Sequence, residues 1–343
     1  MKNEPLVSII IVNLNGKKWL EKCIPSIFDS NYPQNKIEII IVDNGSVDGS
    51  VDFVRNKFSR NYQIKIIELD KNYGFAKPNN MGIKYSNGKF ILFLNNDTIV
   101  TKNFLRNLIK IMLPNPKIGA CQSKILLMEN RNILDATGSF LTQTGFLIHE
   151  GLRQKDKGQY NKISEIFSVK GACMLARREI LDKVGFFDED FFAYFEETDL
   201  CWRIWLAGYS IVFVPDSIIY HKMGATTTRM NISFIEYHSF KNRICSLIKN
   251  LNNINLIKIL PVHIFLCCGV CVLYIFMLKP CNAIAIMQAI LWNSMNIRHT
   301  LEKRNIVQKQ IRKVSDNQLF STNMKKTDIG YFLKLAMSYC SIK

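Results

Sequence analysis

The sequence lacks the glycine signatures of the commonest nucleotide-binding folds. No G-x-G-x-x-G follows the first apolar run, where Asn13-Leu14-Asn15-Gly16 stands instead, and no P-loop occurs. A Rossmann-type dinucleotide enzyme and a P-loop nucleotidase are thereby excluded. No leader is expected: Met1 to Pro5 precede Leu6 to Val12, an apolar run too short and wrongly flanked for a signal peptide, which predicts a cytosolic N-terminal part. Internal repeats and low-complexity tracts are absent. The ten cysteines lack the regular spacing of a secreted disulfide framework, and the C-x-x-C of Cys268 and Cys271 lies inside an uncharged apolar segment, so most of the ten read as buried thiols of a reducing compartment.

Acidic residues are scarce, 28 against 45 Lys and Arg, for a formal net charge of +17. The imbalance is local. Residues 222–343 hold 17 Lys/Arg against 4 Asp/Glu, or +13, leaving +4 for residues 1–221. That basic third also carries the longest apolar runs, so its charge points to an anionic membrane surface, and no nucleic-acid partner is expected. With 343 residues and 48% hydrophobic content, the chain can build one large domain and an appendage.

What is present first is a strand–helix alternation. Leu6 to Val12, Ile37 to Val42, Ile64 to Leu69 and Phe90 to Leu94 are continuous apolar runs of strand length, as expected of parallel strands buried on both faces. Helical spacing follows the first three, over Trp19 to Phe28, Ser50 to Phe58 and Phe75 to Tyr85. The alternation predicts an α/β fold, a mostly parallel sheet with helices on both faces, which binds ligands beyond the carboxyl ends of its strands. Each strand there ends in a polar cluster: Asn13 to Asn15, Asp43 to Ser46, Asn72 to Gly74 and Asn95 to Asp97. The last cluster offers a carboxylate and amide oxygens to a hard cation that keeps waters and bridges phosphates.

From about Ile118 the segments shorten, with turn signals at Ala136 to Ser139 and Gln143 to Gly145, and a polar stretch from 151 to 164 reads as a surface loop. A strand is expected at Ser210 to Val214, with Pro215 to His221 running off its end. Between them lies Phe191 to Arg203, FFAYFEETDLCWR, where Glu196, Glu197 and Asp199 stand in an aromatic and apolar run. Carboxylates so placed must be paired, metal-bound or working, and an apolar wall raises a carboxyl pKa toward that of a useful base. They equally suit the first turn of a helix over Leu200 to Ala207.

Taken together, VSIIIVNLNG (7–16), VDNGSVDGS (42–50), NYGFAKPNNMGI (72–83), FLNND (93–97), KGACMLARREILDKVGFFDE (170–189), YFEETDLCWRIWLAGY (194–209) and His221 resemble the family 2 glycosyltransferases, and among them the rhamnosyltransferase-like enzymes of surface polysaccharide assembly. The resemblance covers residues 5–225. It implies a GT-A fold and inverting transfer of one sugar, rhamnose in that subgroup, from a nucleotide-diphosphate donor to a glycan or lipid-linked acceptor. It implies that Asp43 meets the nucleotide base and that Asn13, Asn72, Gly74, Asn80, Asn95 and Asn96 line the donor site. Asp97 and His221 would bind Mg²⁺ or Mn²⁺, Glu197 would stand where the family has its catalytic base, usually Asp, and Asp199 would be the next acid of that motif. Two other readings stay open: a non-catalytic scaffold that binds sugar nucleotides, and a processive synthase. No Q-x-x-R-W motif supports the latter, Gln288 being followed by Ala-Ile-Leu-Trp.

The expected organisation is a catalytic domain over 1–225, with a nucleotide-binding half at 5–117 and an acceptor-side half at 118–225, and then a basic, apolar helical region at 226–343. In that region, Ile259 to Leu278 and Pro280 to Ile297 approach the length a helix needs to span hydrocarbon. A hairpin turning near Lys279-Pro280, or a helix pair lying in the interface, would keep both basic flanks on the cytoplasmic face. A buried helical hairpin packed on the catalytic domain is the soluble alternative.

Overall fold

The computed structural model of the protein describes residues 4–58, 63–224, 231–328 and 330. The expected alternation is there: β1 (Val7–Asn13), α1 (Lys17–Phe28), β2 (Ile37–Asp43), α2 (Ser50–Phe58), β3 (Ile64–Glu68), α3 (Ala76–Lys84) and β4 (Phe90–Leu94). The four strands are parallel in the order β4-β1-β2-β3. β2 and β4 are buried along their whole length and β1 nearly so, which is why their sequences run apolar without alternation. In register, Asn13 faces Asp43, so two of the polar strand ends meet side by side.

The chain continues through β5 (Thr98–Val100), α4 (Phe104–Met112), β6 (Ile118–Leu127), β7 (Leu134–Ala136), β8 (Gly138–Thr142), β9 (Leu147–Glu150), β10 (Ser164–Glu165), β11 (Cys173–Arg177), α5 (Arg178–Val184), α6 (Glu196–Leu206) and β12 (Ser210–His221), with β8 and β9 in a second, smaller sheet. β11 pairs antiparallel with both β4 and β6, and β12 runs parallel to β6, giving the order β10-β12-β6-β11-β4-β1-β2-β3. Apolar side chains pack on both faces. One core gathers Ile10, Phe93, Met174 and Trp202, the other Ile9, Ile24, Phe90 and Phe104.

One expectation fails at β12. The strand does not end at Val214; it resumes at Ile218 and runs to His221. The register against β6 slips between Val214 and Ile218, so Pro215 to Ser217 bulge out of the ladder, as a residue without an N–H requires. The resumed segment pairs with β5, His221 opposite Thr98, and this carries the histidine to the end of β4.

The C-terminal elements are α7 (Ile232–Asn250), α8 (Asn253–Phe276), α9 (Pro280–Met295), α10 (Ile297–Ile306), a π-helical turn (Val307–Ile311), α11 (Asp316–Asn323) and β13 (Met324–Lys325). The expected border at 225 falls outside the described residues. Much of the chain beyond it is no appendage. Leu247, Leu251, Val307, Ile311 and Leu319 share a core with Phe93 and Trp202, and β13 pairs with β8. The basic stretch 303–316 works inside this packing: the Arg304 guanidinium donates to the carbonyls of Ile248 and Leu251, and Arg312 pairs with Asp316 at 2.6 Å.

What projects is the hairpin α8–α9. α8 has 24 residues and an 18-residue stretch of mean hydropathy 2.5, of which only 22% is buried. Among the described residues it alone is long and apolar enough to cross a membrane. The second expected span is cut at Met295, leaving 16 residues, or about 24 Å at the α-helical rise, short of a hydrocarbon core of about 30 Å.

Candidate active site

The polar strand ends form one connected network. Asn13, fully buried, donates from Nδ2 to Asp43 Oδ1 at 2.9 Å and Ser50 Oγ at 2.9 Å, and its Oδ1 accepts from Asn96 Nδ2 at 2.8 Å. Asp43 Oδ2 accepts the Ser46 N–H at 2.8 Å, which curls the chain after β2 around the carboxylate. Next to it Asn44 donates to Asn72 Oδ1 at 2.9 Å and to the Gly74 carbonyl at 2.8 Å. Asn13, Asp43, Asn72, Gly74 and Asn96 are thus brought together as expected. Asn95 stands outside these bonds: its N–H donates to the Ala172 carbonyl at 3.1 Å.

Gly74 serves by what it lacks. Its φ is +81°, and a Cβ there would lie 2.0 Å from the Phe192 carbonyl oxygen, the acceptor for the N–H of Phe75 at 2.6 Å. Any side chain would push the donor-side loop off the segment that carries the acidic cluster. Asn80 differs from its expected place in the donor site. It is buried with both ends of its amide engaged, donating to Phe187 O and Glu189 and accepting from Phe187 N–H at 3.0 Å.

At the end of β4 stands Asp97, buried, with Oδ1 3.3 Å from His221 Nε2 and without any other partner. The other ring nitrogen, Nδ1, is 2.6 Å from Asp135 Oδ2, and Asp135 pairs in turn with Lys170 Nζ. Burial works against an imidazolium, but the hydrogen bonds to Asp135 and Asp97 outweigh it and push the histidine up to about 9. The Lys170 and His221 cations overcome burial of Asp135 and hold its carboxyl well below the usual range. A histidine fixed through one nitrogen by a carboxylate, with the other nitrogen sharing a proton with a buried carboxylate oxygen that has no further partner, fits a divalent cation that takes that proton's place. Among the described residues no three His, Cys, Asp or Glu side chains group as a metal site; Asp97 and His221 are the pair that face each other there.

Sequence reasoning does not single out Asp135 or Lys170. The stretch around Asp135 reads as a turn from Ala136 onward, and Lys170 reads as the polar start of a strand. The available signal is a lone acid in the apolar run from Ile133 to Ala136, the same signal that marks Asp97 after FLNN.

On the acceptor side, α6 opens with Glu196, Glu197 and Asp199, which separate sharply. The helix is entered through two aromatic residues with left-handed backbone, Tyr194 at φ 68° and Phe195 at φ 72°. Each such residue costs roughly 1–3 kcal/mol and persists only where its surroundings enforce it. Glu197 lies over Gly171, whose ideal Cβ would sit 3.7 Å from Oε1, while Oε2 is buried without a hydrogen-bond partner. Burial raises the Glu197 carboxyl above the usual range, and the Lys170 charge partly offsets this. Glu196 is pushed up further by burial and then by Glu197.

Asp199 has no such freedom, contrary to the expected share in catalysis. It is fully buried and accepts from Arg203 at 3.1 Å, Ser246 at 2.8 Å, Lys249 at 3.0 Å and Asn250 at 2.8 Å. Against burial, Lys249 and Arg203 hold it as a carboxylate. It ties α6 to α7. The cluster therefore holds two acids with a buried, partnerless oxygen, Glu197 and the more strongly raised Glu196, and a third used as a fastener.

Residues 8–185 match the family described as Glycosyl transferase family 2. The low-salt glycan biosynthesis hexosyltransferase Agl10 of Haloferax volcanii is 27% identical over 244 residues, covering 69% of this chain and 74% of that protein. The poly-beta-1,6-N-acetyl-D-glucosamine synthase of Staphylococcus epidermidis is 25% identical over 214 residues, 62% of this chain and 48% of that one. The chain thus spans about half the length of that relative. Among solved structures, the mannosyltransferase PcManGT from Pyrobaculum calidifontis in complex with GDP-Man and Mn²⁺ superposes with TM-score 0.55 at 17% identity, covering 90% of this chain and 85% of that one. S. aureus TarS 1-349 in complex with UDP-GlcNAc gives 0.56 at 17%, over 76% and 71%. These likenesses show the fold, a GT-A-like mixed α/β sheet.

Proposed function

The chain belongs to glycosyl transferase family 2, and from that premise we propose that it moves a single sugar, rhamnose, from a nucleotide-diphosphate donor to a hydroxyl of a glycan or lipid-linked glycan, with inversion at the anomeric carbon. One observation carries this proposal. A donor-side network of Asn13, Asp43 and Asn96 and the Asp97–His221 pair stand at one sheet end, and through Asp135 and Lys170 they connect electrostatically to an under-bonded carboxylate, Glu197.

Residues 5–117 would hold the nucleotide, Asp43 accepting a hydrogen bond from a uridine- or thymidine-type base, and residues 118–225 would face the acceptor. Asp97 and His221 would hold a Mg²⁺ or Mn²⁺ ion, which when bound neutralises charge on the leaving diphosphate. Glu197 takes the acceptor proton as that oxygen bonds the anomeric carbon from the face opposite the breaking bond to the diphosphate. One carboxylate suffices, because the leaving group is already a stable anion and needs no acid; a glycosidase needs two. Lys170, between Glu197 and Asp135, keeps the proton acceptor from being lifted too far while fixing the group that orients His221. Metal-dependent release of a nucleoside diphosphate from one donor in a panel tests the assignment.

The same reading places the protein on the cytoplasmic face of a membrane through the α8–α9 hairpin, lying in the interface and bringing the site to lipid-linked acceptors. Phe265, Phe276 and Leu278 are 77, 81 and 88% exposed, and Lys258, Lys279 and Arg298 flank the apolar faces. Burying such side chains is worth ~1.5–3 kcal/mol each, so replacing all three by Ser is expected to weaken flotation with phosphatidylglycerol vesicles by at least about 10²-fold. Unchanged flotation would remove the membrane from the proposal. Point substitutions are required because residues 303–325 belong to the catalytic core.

A further inference from the structure

α7 lies beyond residues 8–185, yet it reaches into the segment that presents Glu197. Its residues Asn242, Ser246, Lys249 and Asn250 follow helical spacing and share one face. Three of them hold Asp199, and Lys249 also pairs with Asp188 at 2.5 Å. Asn242 does something different. Fully buried, it donates from Nδ2 to the carbonyls of Ala193, at 2.8 Å, and Tyr194, at 2.7 Å. These carbonyls lie on either side of Tyr194, the first of the left-handed pair Tyr194–Phe195, whose backbone sets where α6 starts and hence where Glu197 points. Asn242 Oδ1 is buried without a partner, so these two donations are the whole hydrogen-bonding role of the amide.

We propose that Asn242 is a positioning residue for proton transfer, its amide locking the left-handed Tyr194–Phe195 turn that aims Glu197. This rests on Glu197 being the proton acceptor. Two bulky residues at positive φ revert readily to extended or right-handed backbone unless something enforces the turn, and the bonds to carbonyls on both sides of Tyr194 do so. The donor network involves none of these atoms: its side chains bond one another across β1, β2 and β4.

The test measures kcat, donor KM and nucleotide binding for Asn242→Ala in the full chain, beside Asn293→Ala and Glu197→Gln. Asn293, on α9, donates to the Lys241 carbonyl at 3.0 Å, a buried hydrogen bond to α7 that touches none of residues 193–195. A misplacement of about 1 Å costs about 10²-fold in rate, so kcat of Asn242→Ala is expected to fall by that order, with donor KM and UDP or dTDP affinity within about twofold of wild type. Asn293→Ala should lower the melting temperature without this split. Should Asn242→Ala fail to fold, Asn242→Ser, which leaves room for a water, answers the same question. Unchanged kcat in the Asn242 variant, or parallel loss of kcat and donor binding, overturns the proposal. Full turnover by Glu197→Gln overturns its premise instead, whatever Asn242→Ala does.

Discussion

Replacing Glu197 by Gln is expected to lower the transfer rate about 10²- to 10⁴-fold, the usual contribution of a positioned general base, while the protein still binds its nucleotide donor. The amide keeps the shape over Gly171 and removes only the capacity to take a proton. Because Oε2 has no hydrogen-bond donor to lose, the substitution leaves no partner stranded, and the melting temperature should hold or rise. The wild-type pH profile carries the same signature. Burial raises the Glu197 carboxyl above its ordinary value, so at pH below that raised value the group is protonated and cannot accept. The acid limb of kcat/KM should therefore lie above the normal carboxylate range of about 4.3 and disappear in Glu197→Gln. Stopped donor binding in this variant, or undiminished transfer, would refute its role.

The second large effect is expected at Asp97. Its buried Oδ1 meets only His221 Nε2, at 3.3 Å, and has no other partner, which leaves it free to turn to a cation. Asp97→Asn is expected to abolish metal-stimulated donor binding, read as the change in nucleotide affinity when Mn²⁺ is added. Asp135→Asn acts one step away. It keeps a hydrogen-bonding atom near His221 Nδ1 but removes the charge, and loss of such an outer partner costs about 10- to 100-fold in metal affinity. The expected order of damage is Asp97 first and Asp135 second. Equal Mn²⁺ response in wild type and Asp97→Asn would show that the cation, if used, is held elsewhere.

That Asp97 is visible in the sequence and Asp135 is not has a physical explanation. Strands buried on both faces must be written as unbroken apolar runs, so β1, β2 and β4 are legible nearly to the residue, and a polar cluster at each carboxyl end marks the donor site. Asp97 closes such a run. Asp135 sits on a three-residue strand, too short for any periodicity, and gains its role only when β7 pairs with β6 and β12 brings His221 alongside. β12 itself reads as ending at Val214, before Pro215, because a bulge is invisible until the partner strand is known. Asp199 shows the opposite case. Its sequence setting is the same acidic cluster as Glu197, but it lies two positions on, about 200° around the helix. That turns it toward Lys249, Ser246 and Asn250, three residues some fifty positions away. Composition is a partial guide to residues 226–343: the apolar run over α8 does project from the core, whereas the basic residues of α10 and the elements after it pair with core carbonyls and acids.

The left-handed entry to α6 has no sequence signal at all. Tyr194 and Phe195 are the wrong residues for positive φ, and only the surrounding contacts, Asn242 among them, account for it. Local rules breaking down beside the proposed proton acceptor is what a functional site leads one to expect.

The central claim is metal-assisted transfer from a nucleotide-diphosphate sugar by this site. Its most direct measurement is release of nucleoside diphosphate from UDP-, dTDP- and GDP-sugars by the membrane-bound full chain, with lipid-linked acceptor present, with Mn²⁺ or with chelator, and beside Glu197→Gln. Release from one donor that stops with chelator and with the substitution is the predicted result. Silence across the panel with acceptor and Mn²⁺ present, while nucleotide still binds, would contradict it and leave a sugar-nucleotide-binding scaffold.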